Sequence, residues 1–378
     1  MKNVTLIATA AMGLESVVAN EVKQLGYEAT VENGRVLFEA PISAIPRCNL
    51  WLRTADRVRL RIGAFTATTF DELFESTKSL PWEDFIAEEG QFPVSGKSVK
   101  SQLYSVPDCQ SIVKKAIAER LKLKYGLASK MPESGPLYKV EVSILKDIAT
   151  LTIDTSGTGL HKRGYRIGQG EAPLKETMAA ALVMLTNWKP DHPLIDPFCG
   201  SGTIAIEAAL IGQNIAPGFN REFACEDWPL IKNKHWEAAY EEVEEKANYD
   251  QKLDITGSDI DYNLVKIANE NAVEAGLGDL ITWKQMQVKD LFIRNKNGYV
   301  IGNPPYGQRI GDKEAVATIY RELGNVMKDH PTWSVYILTA FEGFEKQYGQ
   351  QATKKRKLFN GFIQTDYYQY FGRKSRQD

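Results

Sequence analysis

Long apolar runs, paired cysteines and clustered histidines are all missing from this 378-residue chain. No stretch approaches the ~20 consecutive apolar residues that a membrane-spanning helix needs, so a helical span is excluded. The four cysteines (Cys48, Cys109, Cys199, Cys225) lie far apart with no C-x-x-C pair, and the four histidines (His161, His192, His235, His330) are equally scattered. That spacing argues against a disulfide framework and a structural zinc, and no metal is expected. Met1 to Leu14 carries a lysine and several alanines, yet Glu15 follows at once, unlike a secretory leader. A cytoplasmic location is expected. Net charge is -2, so any attraction for a polyanion must come from a local patch. What is present is ordinary: 43% hydrophobic and 25% charged residues suit a globular chain long enough for two or three cores.

Residues 1–64 read as β-α-β-β-α-β, a ferredoxin-like layout. Val4 to Ala8 is a strand. Leu14, Val17, Val18, Val22 and Leu25 form one helical stripe, with Glu15, Glu21, Lys23 and Gln24 opposite. Asn33-Gly34 marks a hairpin within Tyr27 to Ala40. Residues 65–156 form a second α+β segment, with helices at Phe70 to Ser79 and Cys109 to Lys124 and strands at Tyr138 to Leu145 and Ile148 to Asp154. Between Pro93 and Lys130 stand Lys97, Lys100, Lys114, Lys115, Arg120, Lys122, Lys124 and Lys130, against only Asp108 and Glu119. Such a cluster suits phosphates, although charge alone favours a solvated helix face. Residues 157–172 read as a linker whose Lys162, Arg163, Tyr165 and Arg166 could track phosphates and stack on bases. From 173 to 378 strands alternate with helices (Leu194 to Pro197, Ile255 to Asp259, Ile281 to Gln285, Tyr299 to Ile301, Val335 to Leu338). This predicts an α/β, Rossmann-like sheet, closed by an antiparallel hairpin around Asn360-Gly361.

Two motifs carry the chemistry. Asp196-Pro197-Phe198-Cys199-Gly200-Ser201-Gly202-Thr203 joins a strand to a helix through a glycine turn, which is a nucleotide-cofactor cradle. G-x-G-x-x-A alone is shared with nicotinamide and flavin enzymes, but the acid that holds ribose in those enzymes, about 20 residues on, is missing. The next strand to end in acid is Gly257-Ser258-Asp259-Ile260-Asp261, beyond an inserted helix rich in glutamate. Asp196 can accept from an ammonium, Asp259 from ribose hydroxyls and Asp290 from an adenine amine, though any one of them alone could be a cap or turn residue. The second motif, Asn303-Pro304-Pro305-Tyr306, ends the strand Tyr299 to Ile301. The Asn303 amide oxygen and Pro304 carbonyl can accept both N–H bonds of a planar amine and so aim its lone pair. The prolines stiffen the turn and Tyr306 can stack on the ring.

The two motifs together resemble S-adenosylmethionine-dependent amino-group methyltransferases. With Ala172-Pro173-Leu174-Lys175-Glu176-Thr177, and with Phe70-Asp71-Glu72-Leu73, Pro81-Trp82, Ser101-Gln102-Leu103 and Pro107-Asp108-Cys109-Gln110 upstream, the chain resembles, nearly end to end, the RNA guanine-N2 methyltransferases that carry a THUMP domain. The resemblance implies a THUMP fold for 65–156 and S-adenosylmethionine as cofactor. It implies an RNA substrate, a guanosine of large-subunit ribosomal RNA in the nearest relatives. It places Asn303, Pro304 and Tyr306 at the target base. Asp196, Gly200, Gly202, Asp259 and Asp290 surround the cofactor, with Phe198, Thr203 and Ile260 beside them and Thr177 near its amino-acid end. It also favours RNA as the partner of the patch with Lys97, Lys100, Lys114 and Lys115, and the linker's Lys162, Arg163 and Arg166 are expected to bind RNA as well. Transfer RNA, adenine N6, a glutamine side chain and a catalytically silent assembly factor remain as alternatives, and oligomeric state is open.

Overall fold

The computed structural model describes residues 3–168, 173–307 and 312–373, and the chain divides into two compact units. The first comprises Met1–Ala10, Val18–Leu160 and Arg221–Glu242; the second comprises Ala11–Val17, His161–Asn220 and Val243–Asp378. Ala172, within the run ending at Thr177, and the last four residues of the expected 157–172 linker lie outside the described residues. No described helix is long and apolar enough to cross a membrane.

The first unit is built on one seven-stranded sheet. In chain order its elements are β1 (Asn3–Ala10), α1 (Glu15–Gln24), β2 (Ala29–Glu32), β3 (Arg35–Pro41), α2 (Ala44–Trp51), β4 (Ala55–Thr66), α3 (Phe70–Ser79), β5 (Val94–Val99), α4 (Val106–Tyr125), β6 (Val140–Leu145) and β7 (Ile148–Asp154), in the spatial order β2-β3-β1-β4-β7-β6-β5. The ferredoxin-like half is as expected, with its hairpin turning at Asn33-Gly34. β4 pairs with β1 along one edge and with β7 along the other. The boundary expected at 64/65 therefore falls inside a strand that both halves share. Glu21, expected on the solvent face of α1, is instead buried and accepts from the Arg53 and Thr54 amides. Local signals start the helices: Thr69 and Glu72 make a reciprocal capping box on α3, and Gly126 ends α4 at φ 67°. β5 has no counterpart among the expected elements, because Ser95, Gly96, Lys97 and Ser98 look like loop.

Arg221–Glu242, expected inside the C-terminal domain, belongs to this first unit. Trp228 stacks on Tyr138 at 4.7 Å and donates to the Leu137 carbonyl, and Arg221 donates to the Thr158 and Gly159 carbonyls.

The second unit contains α5 (Glu176–Met184), β8 (Leu194–Asp196), α6 (Thr203–Gly212), the end of α7 (Asn233–Lys246), β9 (Ile255–Asp259), α8 (Tyr262–Glu274), β10 (Ile281–Gln285), β11 (Tyr299–Gly302), α9 (Asp312–Lys328), β12 (Ser334–Thr339), α10 (Phe344–Tyr348), β13 (Lys354–Asn360) and β14 (Ile363–Tyr370). Strand order is β10-β9-β8-β11-β12-β14-β13; the first five are parallel and the β13–β14 hairpin is antiparallel, which is the Rossmann-like sheet and closing hairpin the sequence predicts. The order reverses between β8 and β11. Such a switch point opens a crevice at the carboxyl ends of the strands.

Gly324 on α9 lies so close to α10 that a Cβ there would stand 2.0 Å from the Tyr348 carbonyl oxygen. Gly324→Ala is expected to destabilise the protein by about 1–3 kcal/mol, read as a lowered urea midpoint; an unchanged midpoint would mean that α9 and α10 separate freely.

Candidate active site

A cavity of about 640 Å³ opens at that switch point, within the second unit, inside the range of roughly 300–1,000 Å³ common for small-molecule sites. It is lined by the ends of four parallel strands and the turns after them: Asp196 to Ser201 after β8, Asp259 and Ile260 after β9, Met286 to Val288 after β10, and Asn303 to Gly307 after β11. Pro173, Leu174 and, from the terminal hairpin, Asn360 and Ile363 complete the wall.

Asp196, at the tip of β8, is 1% exposed. Its Oδ1 accepts from the Phe198 amide at 3.1 Å, while Oδ2 is buried with no hydrogen-bond partner. Burial, with Asp259 adding repulsion, pushes its carboxyl up to about 8. A carboxylate left bare in a cavity wall fits a cationic ligand group. Asp259 holds the turn from the other side, accepting from the Gly200 amide at 3.0 Å and, through Oδ1, from the Asp261 amide. Gly200 takes φ 51° and a Cβ there would meet nothing, so the backbone is open to a ligand. Gly202 has another role. It does not line the cavity, and at φ 87° its missing Cβ leaves room for Trp283 and Ala268.

The turn is held from behind by residues assigned to RNA on sequence grounds. Arg166 donates to Glu176 at 2.7 Å, to the Ser201 and Thr203 hydroxyls at 3.0 Å each and to the Leu174 carbonyl at 3.1 Å. It thereby fastens two walls of the cavity together. Arg163 is buried against Glu207, which also accepts from the Tyr165 hydroxyl at 3.1 Å. Arg163, Tyr165 and Arg166 are therefore internal, and of that cluster Lys162 is exposed. Asn271 adds a further brace, donating to the Gly168 and Ser201 carbonyls at 3.0 Å.

Two other expectations need correction. Asp290 is exposed and does not line the cavity; Met286, Gln287 and Val288 occupy that wall, because the chain leaves the strand end in a 3-10 turn that carries Asp290 outward. Thr177 is buried in α5 and Leu174 faces the cavity in its place. Gln287, Asn360 and Ile363 are wall residues that sequence reasoning missed; the turn signal at Asn360-Gly361 pointed only to a hairpin.

After β11, the strand next to β8, Tyr306 donates to Asn303 Oδ1 at 2.6 Å and accepts from Asn360 Nδ2 at 3.3 Å. The short distance suits O–H···O and the long one an amide N–H, which fixes the direction of the relay. Burial pushes the Tyr306 hydroxyl up to about 12, so it keeps its proton at neutral pH. Tyr320 donates to the Pro305 carbonyl at 2.7 Å and pairs with the Thr339 hydroxyl at 2.9 Å. The Pro304 carbonyl accepts nothing among the described residues. Two acceptors thus stand on consecutive residues at the end of β11, on a cavity-lining loop held by the Tyr306 and Tyr320 hydroxyls.

In the first unit the basic cluster is partly neutralised by acids that folding brings in from outside Pro93 to Lys130. Lys97 pairs with Glu141, Lys114 with Glu133, and Arg120 and Lys124 with Glu83. Lys114 also sits over the Phe92 ring at 3.6 Å. Lys100, Lys115, Lys122 and Lys130 carry no ion pair among the described residues.

The RMKL-like methyltransferase-domain family model matches residues 163–369, the RlmL ferredoxin-like domain model residues 5–59 and the THUMP domain model residues 67–154. YpsC of Bacillus subtilis (strain 168), by name a provisional RNA methyltransferase, is 64% identical over 374 residues, 99% of this chain and 97% of that protein. A Cellvibrio japonicus protein named Ribosomal RNA large subunit methyltransferase K/L is 32% identical over 381 residues, 95% of this chain but 50% of that protein, so the chain spans half the length of this relative. Among solved structures, a Listeria monocytogenes protein described as a predicted N6-adenine-specific DNA methylase superimposes with a TM-score of 0.95 at 62% identity, covering 99% of this chain and 97% of the other. SMU.472, described as a methyltransferase candidate and solved with S-adenosylhomocysteine, superimposes with a TM-score of 0.96 at 48% identity over the whole of both chains.

Because Asp196 holds a proton until about pH 8, a cationic ammonium can bind there only as that proton leaves. Affinity for S-adenosylhomocysteine is expected to rise with pH below that point, by up to about tenfold per unit, and to level off above it. Asp196→Asn should bind more weakly with that dependence removed. Calorimetric titration between pH 6 and 9 checks this, and a wild-type affinity flat across the range would detach Asp196 from the cofactor. The bare carboxylate and the glycine turn are what such a donor requires, and the chain belongs to the RMKL-like family of S-adenosylmethionine-dependent methyltransferases.

Proposed function

We propose that this protein methylates the N2 amine of a guanosine in RNA, with large-subunit ribosomal RNA as the substrate. The observation that carries the chemistry is the Asn360–Tyr306–Asn303 relay, which lines the same cavity as Asp196 with its bare oxygen, at the tip of the strand next to β8. S-adenosylmethionine, when bound, supplies a methyl group already activated by its sulfonium. Asp196 would hold the ammonium, Asp259 and the open backbone at Gly200 the ribose side, and Ile260, Met286 and Gln287 the adenine end.

The remaining work is alignment. A guanine amine is a weak nucleophile because its lone pair is delocalised into the ring. Asn303 Oδ1 has one lone pair engaged by Tyr306 and another for an N–H of the amine, and the Pro304 carbonyl can take the second N–H. Bonded in this way, the nitrogen directs its lone pair at the donor. Fixing that geometry supplies much of the rate enhancement of a group transfer. The Tyr306 and Tyr320 hydrogen bonds hold the two acceptors in place before substrate arrives. Adenine N6 would satisfy the same two acceptors, and the Listeria neighbour is described in those terms; the THUMP match in the first unit favours RNA over DNA.

Asn303→Ala is expected to lower turnover by about a hundredfold to a thousandfold, the range seen when one positioned hydrogen-bonding group is lost, while S-adenosylhomocysteine binding stays nearly intact. Labelled methyl transfer to ribosomal RNA, transfer RNA, DNA and protein, followed by nucleoside identification, tests the substrate: N2-methylguanosine from ribosomal RNA is expected, and N6-methyladenosine would replace the guanine reading. For the RNA grip, Lys100→Ala with Lys115→Ala should reduce the slope of log K against log salt by about 0.7–0.9 for each phosphate no longer neutralised. An unchanged slope would remove these lysines from the interface.

A further inference from the structure

Phe362 is the most exposed large hydrophobic residue described, with its side chain wholly in solvent (104%). It occupies the second central position of the two-residue turn that joins β13 to β14. Gly361 takes φ 62° and Asn360 pairs with Ile363 across the turn. This type II′ arrangement requires glycine first and accepts small polar residues second, so the turn itself does not call for an aromatic ring. The residues on either side of the turn, Asn360 and Ile363, both line the cavity, and Asn360 is hydrogen-bonded to Tyr306. The ring is therefore carried on a braced hairpin directly beside the cavity that holds Asn303.

The same hairpin bears four consecutive cations. Lys355 pairs with Glu345, and Arg356 donates to the Gly13 carbonyl and Ser16 hydroxyl. Lys354 and Lys357 are exposed and carry no ion pair among the described residues. Lysines on an edge strand also deter pairing with other chains, which accounts for the charges but not for the ring.

We propose that Phe362 is a wedge: it enters a base stack at the place vacated when the target nucleotide turns into the cavity, while Lys357 of the same hairpin lies on a backbone phosphate. A base within a helix cannot present its amine to Asn303 without leaving the stack, and inserted apolar side chains are a general means of holding a stack open. This rests on the reading of the substrate as RNA.

The test uses the full-length enzyme and an unmodified transcript of large-subunit ribosomal RNA. Because the side chain is in solvent, Phe362→Ala should melt at the wild-type temperature. It should lose about tenfold or more in kcat/KM, as expected for a lost base-aromatic stack, and Phe362→Trp should stay close to wild type. Full activity of Phe362→Ala on an RNA that the wild type methylates would overturn the wedge and leave the RNA reading standing. Equal losses for the alanine and tryptophan variants would also overturn it, because a second ring should substitute for the first. A wild type that methylates DNA or protein but no RNA would overturn both.

Discussion

Asp196 ends β8 with one oxygen bonded to the Phe198 amide and the other bare, and a carboxylate placed so costs several kcal/mol when ionised. Burial answers that cost by retaining its proton. The site then depends on not letting the turn relax toward solvent, which would hydrate the carboxylate and close the cradle. That is the work of the polar framework behind the turn. Arg166 ties Ser201 and Thr203 to Glu176 and Leu174, Arg163 is buried with Glu207 beneath it, and Asn271 holds the Ser201 carbonyl. The buried guanidiniums supply rigidity in place of hydrophobic packing that would fill the cavity.

The neighbouring wall of the cavity, after β11, is organised on the same principle with neutral groups. Tyr306 and Tyr320 each spend their hydroxyl proton on the Asn303 to Tyr306 loop. Neither tyrosine ionises at neutral pH, since burial raises both. A buried carboxyl that ionises as a cation binds, beside rigid neutral acceptors on the next strand, suits a cationic donor facing an uncharged amine.

Much of this was legible in the chain. Short apolar runs ending in Asp196, Asp259 and Asn303 marked the strand ends, because parallel strands buried on both faces must be apolar and their tips are free to be polar. Asn33-Gly34 and Asn360-Gly361 marked the hairpins, since few residues tolerate such turns. What escaped depends on partners distant in sequence. Arg163 and Arg166 look like phosphate ligands until Glu207 and Glu176 are seen to meet them. The acids that quench Lys97, Lys114 and Arg120 lie outside the stretch from Pro93 to Lys130 in which the cations cluster. Asp290 failed because a single 3-10 turn decides which of several polar residues after β10 faces inward. β5 failed because a polar edge strand beside a helix has no apolar signature.

The first unit is assembled from three separate stretches of chain, the last of them Arg221–Glu242. Trp228 covers Tyr138, and the Cys225 amide donates to the Thr155 carbonyl. During synthesis, therefore, the sheet that holds β1 to β7 emerges long before the segment that closes it. By the time Trp228 leaves the ribosome, β8 and α6 of the second unit are already outside. Folding from the N-terminus, the usual order for a chain of domains, cannot finish one unit before starting the next. Tyr138 must wait uncovered until Trp228, 90 residues later, emerges, at the ~5–20 residues per second of translation a pause of roughly 5 to 20 seconds in which an aromatic face is open to other chains.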